Sequence, residues 1–365
     1  VGLADGDFAI VSKSHQALVD GLSAVDIAQV MLDDTPDPPA DRIDMWAPRA
    51  EPRDLDLLSE AMIEAATRPA AAVDAVRGTI DDVSRTAARV GGRIVGLAST
   101  ALAMARPVQQ TPLNVQIGGQ RRFAMVDLSL AELKSVRTTL GGTVNDTIVA
   151  VITGGLRSWL HARGLPVAQG QSLRAMLPIS IAVPAANGEV AGGNRVSASL
   201  VDLPIGEPDP AVRLQQISYQ LAQLQEAVQF VGADAIVDIV GFGPPTLHAL
   251  GARASATMSS RLYNLVITNV PGPQRPLYAA GSRMLSVYPV VPLTHNQALS
   301  IGLTSYDGGV YLGLYADRDA LADVDLLGTC LRESATELLN RAEQSVRTLR
   351  VVGGQGAARP RRAAT

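Results

Sequence analysis

Ser14-His15-Gln16-Ala17-Leu18-Val19-Asp20-Gly21 lies where the periodicity of the sequence changes. A turn signal, Asp5-Gly6-Asp7, and a β-leaning run, Phe8–Lys13, come before this octet, so a strand is predicted to lead the chain to His15. After the octet, apolar residues recur at helical spacing on one face, at Leu22, Val25, Ala28 and Leu32. The octet is therefore predicted to join a strand to a mostly buried helix.

The rest of the chain alternates between period-two and helical patterns. A Pro-rich connector (34–53) and an Ala-rich helical segment (54–106) come first, and a second α/β section begins near Thr111. There, strands are predicted at 122–128, 173–177, 195–203, 263–269, 286–291, 298–306 and 309–315, and helices at 130–139, 143–163, 209–230 and 320–346. This order predicts an α/β fold in which helices pack on a mixed sheet.

Composition argues against several classes of protein. The 365 residues include 31 basic and 35 acidic ones, without a basic block interleaved with aromatic residues, so nucleic acid is not expected as a partner. The single cysteine, Cys330, has apolar neighbours and is predicted to pack in the core and not to act as a nucleophile. The uncharged stretch 284–306 is long enough to span a bilayer, but Pro289, Pro292 and the polar run 294–297 interrupt it. It is therefore predicted to form strands and a loop.

Several catalytic motifs with fixed spacing are missing from the sequence. It contains no Gly-x-Ser-x-Gly elbow, Gly-x-Gly-x-x-Gly fingerprint, Walker lysine loop or His-Glu-x-x-His pair. The four histidines are far apart, and none has a second histidine or a carboxylate at helical metal-ligand spacing. No metal site is predicted.

The octet resembles the His-His-x-x-x-Asp-Gly motif of the bacterial wax ester synthase/diacylglycerol acyltransferase family, a branch of the coenzyme A-dependent acyltransferase and condensation-domain superfamily. Further matches follow in the family's order and extend over nearly all of residues 1–348. They are Pro112-Leu113-Asn114, Arg121-Arg122-Phe123, Val144-Asn145-Asp146, Pro178-Ile179-Ser180, Gly193-Asn194-Arg195-Val196-Ser197, Asn269-Val270-Pro271-Gly272-Pro273 and Ala316-Asp317-Arg318-Asp319. The resemblance implies a two-subdomain, chloramphenicol acetyltransferase-like fold with mixed sheets flanked by helices.

This resemblance also implies a division of the chain. Residues 1–34 are expected to supply the remainder of the N-terminal half with the motif, 35–110 a connector and helical bridge, 111–350 the C-terminal half, and 351–365 a disordered tail. The family's N-terminal segment, on the order of a hundred residues, is expected to be missing before the motif. The first half would then need a partner, either an N-terminal fragment or a second copy of the chain.

The activity that the resemblance implies is transfer of a fatty acyl group from acyl-coenzyme A, a co-substrate, to a lipid hydroxyl group. The acceptor is a diacylglycerol, which gives triacylglycerol, or a long-chain alcohol, which gives a wax ester. No cofactor is expected. Because such acceptors dissolve in lipid, the protein is expected in the cytoplasm, peripheral to the inner membrane or to lipid droplets.

The candidate catalytic residues are His15, Gln16 and Asp20. In the family, the second histidine of the motif is the general base and the aspartate holds the loop; His15, Asp20 and Gly21 match the motif, but Gln16 replaces the catalytic histidine. An amide cannot accept a proton near neutral pH, and a positioned base is worth about 100-fold to 10,000-fold in rate. Either His15 replaces the base, or the chain is a weakly active or non-catalytic member that binds lipid or acyl-coenzyme A. Neighbouring residues of a strand point to opposite faces, so the first alternative requires a bulged backbone.

The candidate substrate-binding residues are Gly21, Asn145, Asp146, Asn194 and Arg195. Thr143-Val144-Asn145-Asp146 has the spacing of a capping box, so helix structure alone can also explain Asn145 and Asp146. Asp20 can likewise cap the helix that follows it. Arg195, beside glycines at the start of a strand, could meet Asp20 or a phosphate of coenzyme A. The Asn269–Pro273 motif is predicted to be a turn that closes a strand.

Overall fold

The computed structural model describes residues 1–3, 6–13, 31–37, 108–180, 196–230 and 262–356. The chain has two compact units, and the described residues all belong to the one made of Val1–Pro38 and Val108–Thr365. The octet 14–21 lies outside the described residues. So does nearly all of the predicted connector and bridge, and their predicted structures remain predictions.

A six-stranded mixed sheet is the centre of the described part of the chain. In spatial order its strands are β1 (Arg121–Ser129), β8 (Gly309–Asp317), β7 (Leu299–Tyr306), β4 (Leu265–Pro271), β2 (Leu173–Ser180) and β3 (Val196–Leu203). Strands β2, β4 and β7 run parallel to one another, whereas β1, β8 and β3 pair with their neighbours antiparallel. Two short strands, β5 (Tyr278–Ala279) and β6 (Ser282–Arg283), form a separate hairpin. The predicted mixed α/β architecture is confirmed.

Helices cover one face of this sheet. They are α1 (Leu130–Leu140), α2 (Val144–Ala162), α3 (Pro210–Phe230) and α4 (Val324–Gly356). Helix α4 contacts both β1 and α2, and Gly155 allows the close approach to α2, because a Cβ atom there would lie 2.4 Å from Leu331 Cδ2. Cys330 lies in this interface with 4% of its surface exposed, and burial raises the pKa of its thiol. Its predicted role in core packing is confirmed.

Three sequence-based predictions near the ends of the chain differ from the structure. The run 8–13 forms no strand: the chain turns at Gly6, and Phe8 makes an isolated bridge to Gly2. Helix α4 begins at Val324 and not at 320, because the residues after Asp317 form a turn that the Asp317 carboxylate caps. The helix also continues to Gly356, past the point at which the disordered tail was predicted to begin.

The predicted strand at 286–291 is wrong, because this segment lies on the face of β7 and β8 and pairs with neither. Its backbone carbonyl groups accept hydrogen bonds from side chains below it: Val291 from Ser300 and Leu285 from Tyr311. The Tyr288 ring stacks edge-to-face on Tyr311, with 5.4 Å between ring centroids. Side chains therefore supply the bonds that a neighbouring strand would otherwise provide.

Two glycines at paired positions, Gly302 of β7 and Gly313 of β8, make room for this segment. A Cβ atom at Gly313 would lie 2.0 Å from the carbonyl oxygen of Pro289. We therefore expect Gly313→Ala to lower the free energy of unfolding by about 1–3 kcal/mol, the usual cost of an overpacked contact. The denaturant midpoint measures this loss. Gly119→Ala is the control, since nothing lies within 4 Å of a Cβ atom there; equal midpoints for the two variants would contradict the prediction.

Side chains from helices occupy the two edges of the sheet. On β3, the backbone N–H of Asp202 donates to Gln220 Oε1 (3.1 Å), and Gln220 Nε2 donates to the carbonyl oxygen of Asp202 (2.9 Å). On β1, Arg332 Nη2 donates to the carbonyl oxygen of Met125 (2.8 Å). These contacts satisfy backbone groups that would otherwise be open to an additional strand.

Candidate functional site

The candidate site lies at the edge where the parallel strands β2, β4 and β7 end. Strand β2 ends at Ser180, which pairs with Val196 at the start of β3. Open α/β sheets bind their ligands at the carboxyl ends of parallel strands. This edge is therefore the part of the described sheet that best suits a ligand.

Strands β2 and β4 separate as they approach this edge. Their pairing covers only Ala175 with Leu265 and Met176 with Val266, although β2 continues to Ser180 and β4 to Pro271. On its other side, β4 stays paired with β7 as far as Pro271. Beyond Val266, the edge of β4 that faces β2 has no strand partner in the described ranges. Within the described ranges, β2 and β4 therefore share no ladder hydrogen bonds toward this edge.

Helix α2 begins at the same edge with a complete capping box. The backbone N–H of Asp146 donates to Thr143 Oγ1 (3.1 Å), and that of Thr143 donates to Asp146 Oδ2 (2.9 Å). Asp146 is 6% exposed. Its carboxylate is thus engaged in helix structure, and the capping interpretation of this residue is confirmed. Its proposed substrate contact remains a prediction.

Asn145, in the first turn of α2, contacts β4 through its side chain. Asn269 Nδ2 donates a hydrogen bond to Asn145 Oδ1 (2.8 Å) and so links the helix start to the strand end. Asn145 is half-buried and Asn269 is exposed. Within the described part of the chain, no acceptor is found for Asn145 Nδ2. This amide nitrogen is available as a donor at the sheet edge.

The end of β4 after Asn269 is held tightly against β7. A Cβ atom at Gly272 would lie 2.3 Å from the carbonyl oxygen of Ser305, so only glycine fits this close approach. Thr304 Oγ1 also donates to the carbonyl oxygen of Val270 (2.7 Å). The predicted turn over Asn269–Pro273 is wrong, because Asn269, Val270 and Pro271 lie in β4 and the chain bends only at Gln274 and Arg275. The close packing of Gly272 nevertheless fixes the strand end from which Asn269 reaches Asn145.

The structure places two of the predicted site residues, Asn145 and Asp146, at this edge. The other six lie outside the described residues, and their roles remain predictions: His15, Gln16, Asp20, Gly21, Asn194 and Arg195. Sequence reasoning did not identify Asn269 as a site residue. The only sequence signal for Asn269 was an amide side chain near the end of a strand, shortly before a Pro-Gly pair. Nothing in that pattern connects Asn269 to a helix residue 124 positions earlier.

A second polar cluster lies at the opposite edge, where β2 and β4 begin. The Asn264 side chain accepts from the backbone N–H of Arg174 (2.7 Å) and donates to Asn114 Oδ1 (2.6 Å) and to the carbonyl oxygen of Gln109 (3.0 Å). These bonds tie the segment before β1 to the sheet. The Pro112-Leu113-Asn114 match is therefore explained by structure.

Two open cavities, of about 550 and 420 Å³, lie beside this second cluster. The larger is lined in part by Asp317 and Asp319, whose negative charges disfavour the phosphates of acyl-coenzyme A. In the part of the chain that the structure describes, no group of histidine, cysteine and carboxylate side chains is arranged to hold a metal ion. The carboxyl edge therefore remains the better candidate.

Comparison with models of known protein families supports the resemblance to acyltransferases. Residues 1–148 match the wax ester synthase/diacylglycerol acyltransferase catalytic domain, and residues 192–339 match the C-terminal domain of the same family. The chain belongs to this family. The resemblance inferred from the motifs is thereby confirmed, and the Asn145–Asn269 contact joins residues from the two matched domains.

Two similar proteins, one found by sequence and one by structure, align with most of this chain. A Mycobacterium tuberculosis protein with the name "Probable diacyglycerol O-acyltransferase tgs2" is 31% identical over 350 residues, which cover 92% of this chain and 71% of that protein. The solved structure of a wax ester synthase/diacylglycerol acyltransferase from Marinobacter aquaeolei is similar with a TM-score of 0.59 and 24% identity, over 90% of this chain and 67% of that one. The coenzyme A-dependent acyltransferase-like fold is confirmed.

Proposed function

We propose that this chain is an O-acyltransferase that moves a fatty acyl group from acyl-coenzyme A to a diacylglycerol or a long-chain alcohol. The match of both halves of the chain to the two domains of one acyltransferase family is the observation that carries the proposal. Acyl-coenzyme A is a co-substrate, and the reaction requires no cofactor.

The reaction requires a base and a group that stabilises negative charge. The acceptor oxygen forms a bond to the thioester carbonyl carbon, the carbonyl oxygen gains charge, and the carbon–sulfur bond breaks. The base takes the hydroxyl proton and passes it to the departing thiolate, which is released as free coenzyme A. His15 is the proposed base and Asp20 holds its loop, while donors at the carboxyl edge, Asn145 among them, face the carbonyl oxygen.

The second candidate function is lipid or acyl-coenzyme A binding without efficient catalysis. It is favoured by one observation, Gln16, which stands at the position of the family's catalytic histidine and cannot accept a proton. Both functions require the same fold and the same ligands. They differ only in whether a covalent bond is made.

We also propose that the protein works in the cytoplasm at the surface of the inner membrane or of lipid droplets. Its acceptor dissolves in lipid, so the protein must take it from an interface. Within the described ranges, no helix combines the length and apolar character needed to cross a membrane. Flotation with vesicles that contain diacylglycerol tests this proposal: protein that stays at the bottom of the gradient contradicts it.

Acyl transfer is tested by incubating the full chain with palmitoyl-coenzyme A and vesicles that contain diacylglycerol or hexadecanol. We expect free thiol and the corresponding ester to form in equal amounts, and only when an acceptor is present. Thiol release without an acceptor would indicate hydrolysis and would contradict the proposal. Binding of palmitoyl-coenzyme A without product would favour the second candidate function.

A further inference from the structure

The hydrogen bond between Asn269 and Asn145 fixes which end of the Asn145 carboxamide faces the candidate site. We infer that Asn269 is a positioning residue: by donating to Asn145 Oδ1, it turns Asn145 Nδ2 toward the sheet edge as a donor for the thioester carbonyl oxygen. This inference rests on the proposed acyl transfer, which it deepens by assigning a role to two amides of the same site.

A carboxamide alone has no fixed orientation of this kind. Its oxygen accepts hydrogen bonds and its nitrogen donates two, and rotation by half a turn exchanges the two ends. A developing oxyanion is stabilised by donors, whereas an acceptor in the same place repels it. The residue that binds the end of the Asn145 carboxamide facing β4 therefore decides whether its other end helps or hinders the reaction. In the structure, Asn269 presents its amide nitrogen, and the Asn145 oxygen faces it.

Asn269 is itself held in place from two directions. Its backbone is level with Leu303 in the parallel pairing of β4 with β7, so its position along the strand is fixed. Gly272, which follows the end of β4, packs against Ser305 without room for a Cβ atom. The Asn269 side chain therefore extends from a backbone with a fixed position. Its hydrogen bond sets which end of the Asn145 carboxamide faces β4.

The location of Asn145 Nδ2 supports a role toward substrate. Asn145 lies beside Asn269 near the end of β4, at the carboxyl edge of the parallel strands, and its Nδ2 has no acceptor among the described residues. The link from α2 to β4 uses the Asn145 oxygen, so within the described ranges this nitrogen can serve a ligand.

Steady-state kinetics of single and double variants test the inference. We expect Asn145→Ala to lower kcat by about 100-fold, the effect of losing one oxyanion donor. Asn269→Ala is expected to lower kcat by about 10-fold with an unchanged KM for palmitoyl-coenzyme A, since Asn145 keeps its donor but loses its fixed orientation. In the Asn145→Ala background, Asn269→Ala should have no further effect, because a positioning residue acts only through its partner.

Asn269→Asp provides a second, isosteric test that preserves the volume of the side chain. A carboxylate can only accept, so Asn145 must turn its nitrogen toward it and its oxygen toward the site. We expect a loss of kcat close to that of Asn145→Ala, about 100-fold, with no change in the melting temperature. Asn340→Ala, at an exposed asparagine of α4, is the control and should keep wild-type kinetics.

The possible results separate this inference from the proposed function. Wild-type turnover in Asn269→Ala and Asn269→Asp would overturn the inference alone. A further loss caused by Asn269→Ala when Asn145 is already alanine would also overturn it, because it would show a role independent of Asn145. A wild-type chain that transfers no acyl group would overturn the proposed function and the inference together.

Discussion

The variant His15→Ala is expected to transfer acyl groups at least about 100 times more slowly than the wild-type chain, because a positioned general base accounts for a factor of this size or more. Gln16 cannot accept the acceptor's proton, and none of the other histidines is followed by an aspartate at the motif's spacing. His15 is therefore the proposed base. The loss should appear in kcat, measured by thiol release with saturating palmitoyl-coenzyme A and diacylglycerol.

Gln16→His separates the two candidate functions. If the wild-type chain binds palmitoyl-coenzyme A without turnover and Gln16→His restores ester formation, the chain is a non-catalytic member that has lost its base. If His15 serves as the base, Gln16→His should change kcat far less than His15→Ala does. His161→Ala, at an exposed histidine near the end of α2, is the matched control. Unchanged turnover in His15→Ala would contradict the proposed role of His15.

Asp317→Ala is expected to lower the free energy of unfolding by at least about 3 kcal/mol, since several hydrogen bonds to one buried carboxylate are lost together. The Asp317 carboxylate accepts from the backbone N–H groups of Gly118 (2.8 Å), Ala320 (3.0 Å) and Asp319 (3.1 Å), and from Arg121 Nη1 (3.3 Å). It thus joins the start of β1 to the end of β8 and caps the turn before α4. Guanidinium unfolding at pH 7 measures the loss.

The contribution of Asp317 should also depend on pH. Burial alone would raise the pKa of Asp317, but the N–H groups of Ala320, Gly118 and Asp319 and the charge of Arg121 hold it below its ordinary value. The ionised carboxylate therefore stabilises the fold above the unfolded-state pKa of about 3.9, and this stabilisation is lost as the pH falls through the folded-state pKa. The stability difference between the wild-type chain and the isosteric variant Asp317→Asn should narrow below about pH 4.

A neighbouring carboxylate provides the control for this pH dependence. Asp319 has a side chain that is 76% exposed, so Asp319→Asn should unfold at the wild-type midpoint at both pH 7 and pH 3. Other carboxylates with a lowered pKa, such as Asp323, are present in both the wild-type protein and Asp317→Asn. Their contributions to the pH dependence of stability therefore cancel in the comparison. If the free energy of unfolding differed by the same amount between the wild-type protein and Asp317→Asn at pH 7 and at pH 3, Asp317 would not be responsible for the loss of stability in acid.

Local sequence patterns predicted the elements that local interactions determine. Helix α2 is an example, because Thr143 and Asp146 form its capping box and Gly164, with φ of +71°, follows its end. Cys330 was likewise placed correctly in the core from its apolar neighbours. In both cases, residues within a few positions of each other contain the whole signal.

Contacts between distant segments could not be predicted in this way. The segment 286–291 has the apolar character of a strand, but its packing depends on Gly302 and Gly313, whose pairing is known only once β7 and β8 are aligned. The Asn145–Asn269 bond depends on how α2 lies against β4. The motifs therefore identified the family and Asn145 as a candidate site residue, while the contact that joins Asn145 to Asn269 required the fold.

The contacts of Gln220 and Arg332 at the two margins of the sheet restrict how copies of this chain can associate. A strand from another molecule could extend the sheet beyond β3 only by displacing Gln220 from Asp202, and beyond β1 only by displacing Arg332 from Met125. After either displacement, the Gln220 amide or the Arg332 guanidinium would have to be hydrated before a new strand could pair with the sheet. We therefore expect that copies of this chain do not associate through β1 or β3 as one continuous sheet running through two molecules.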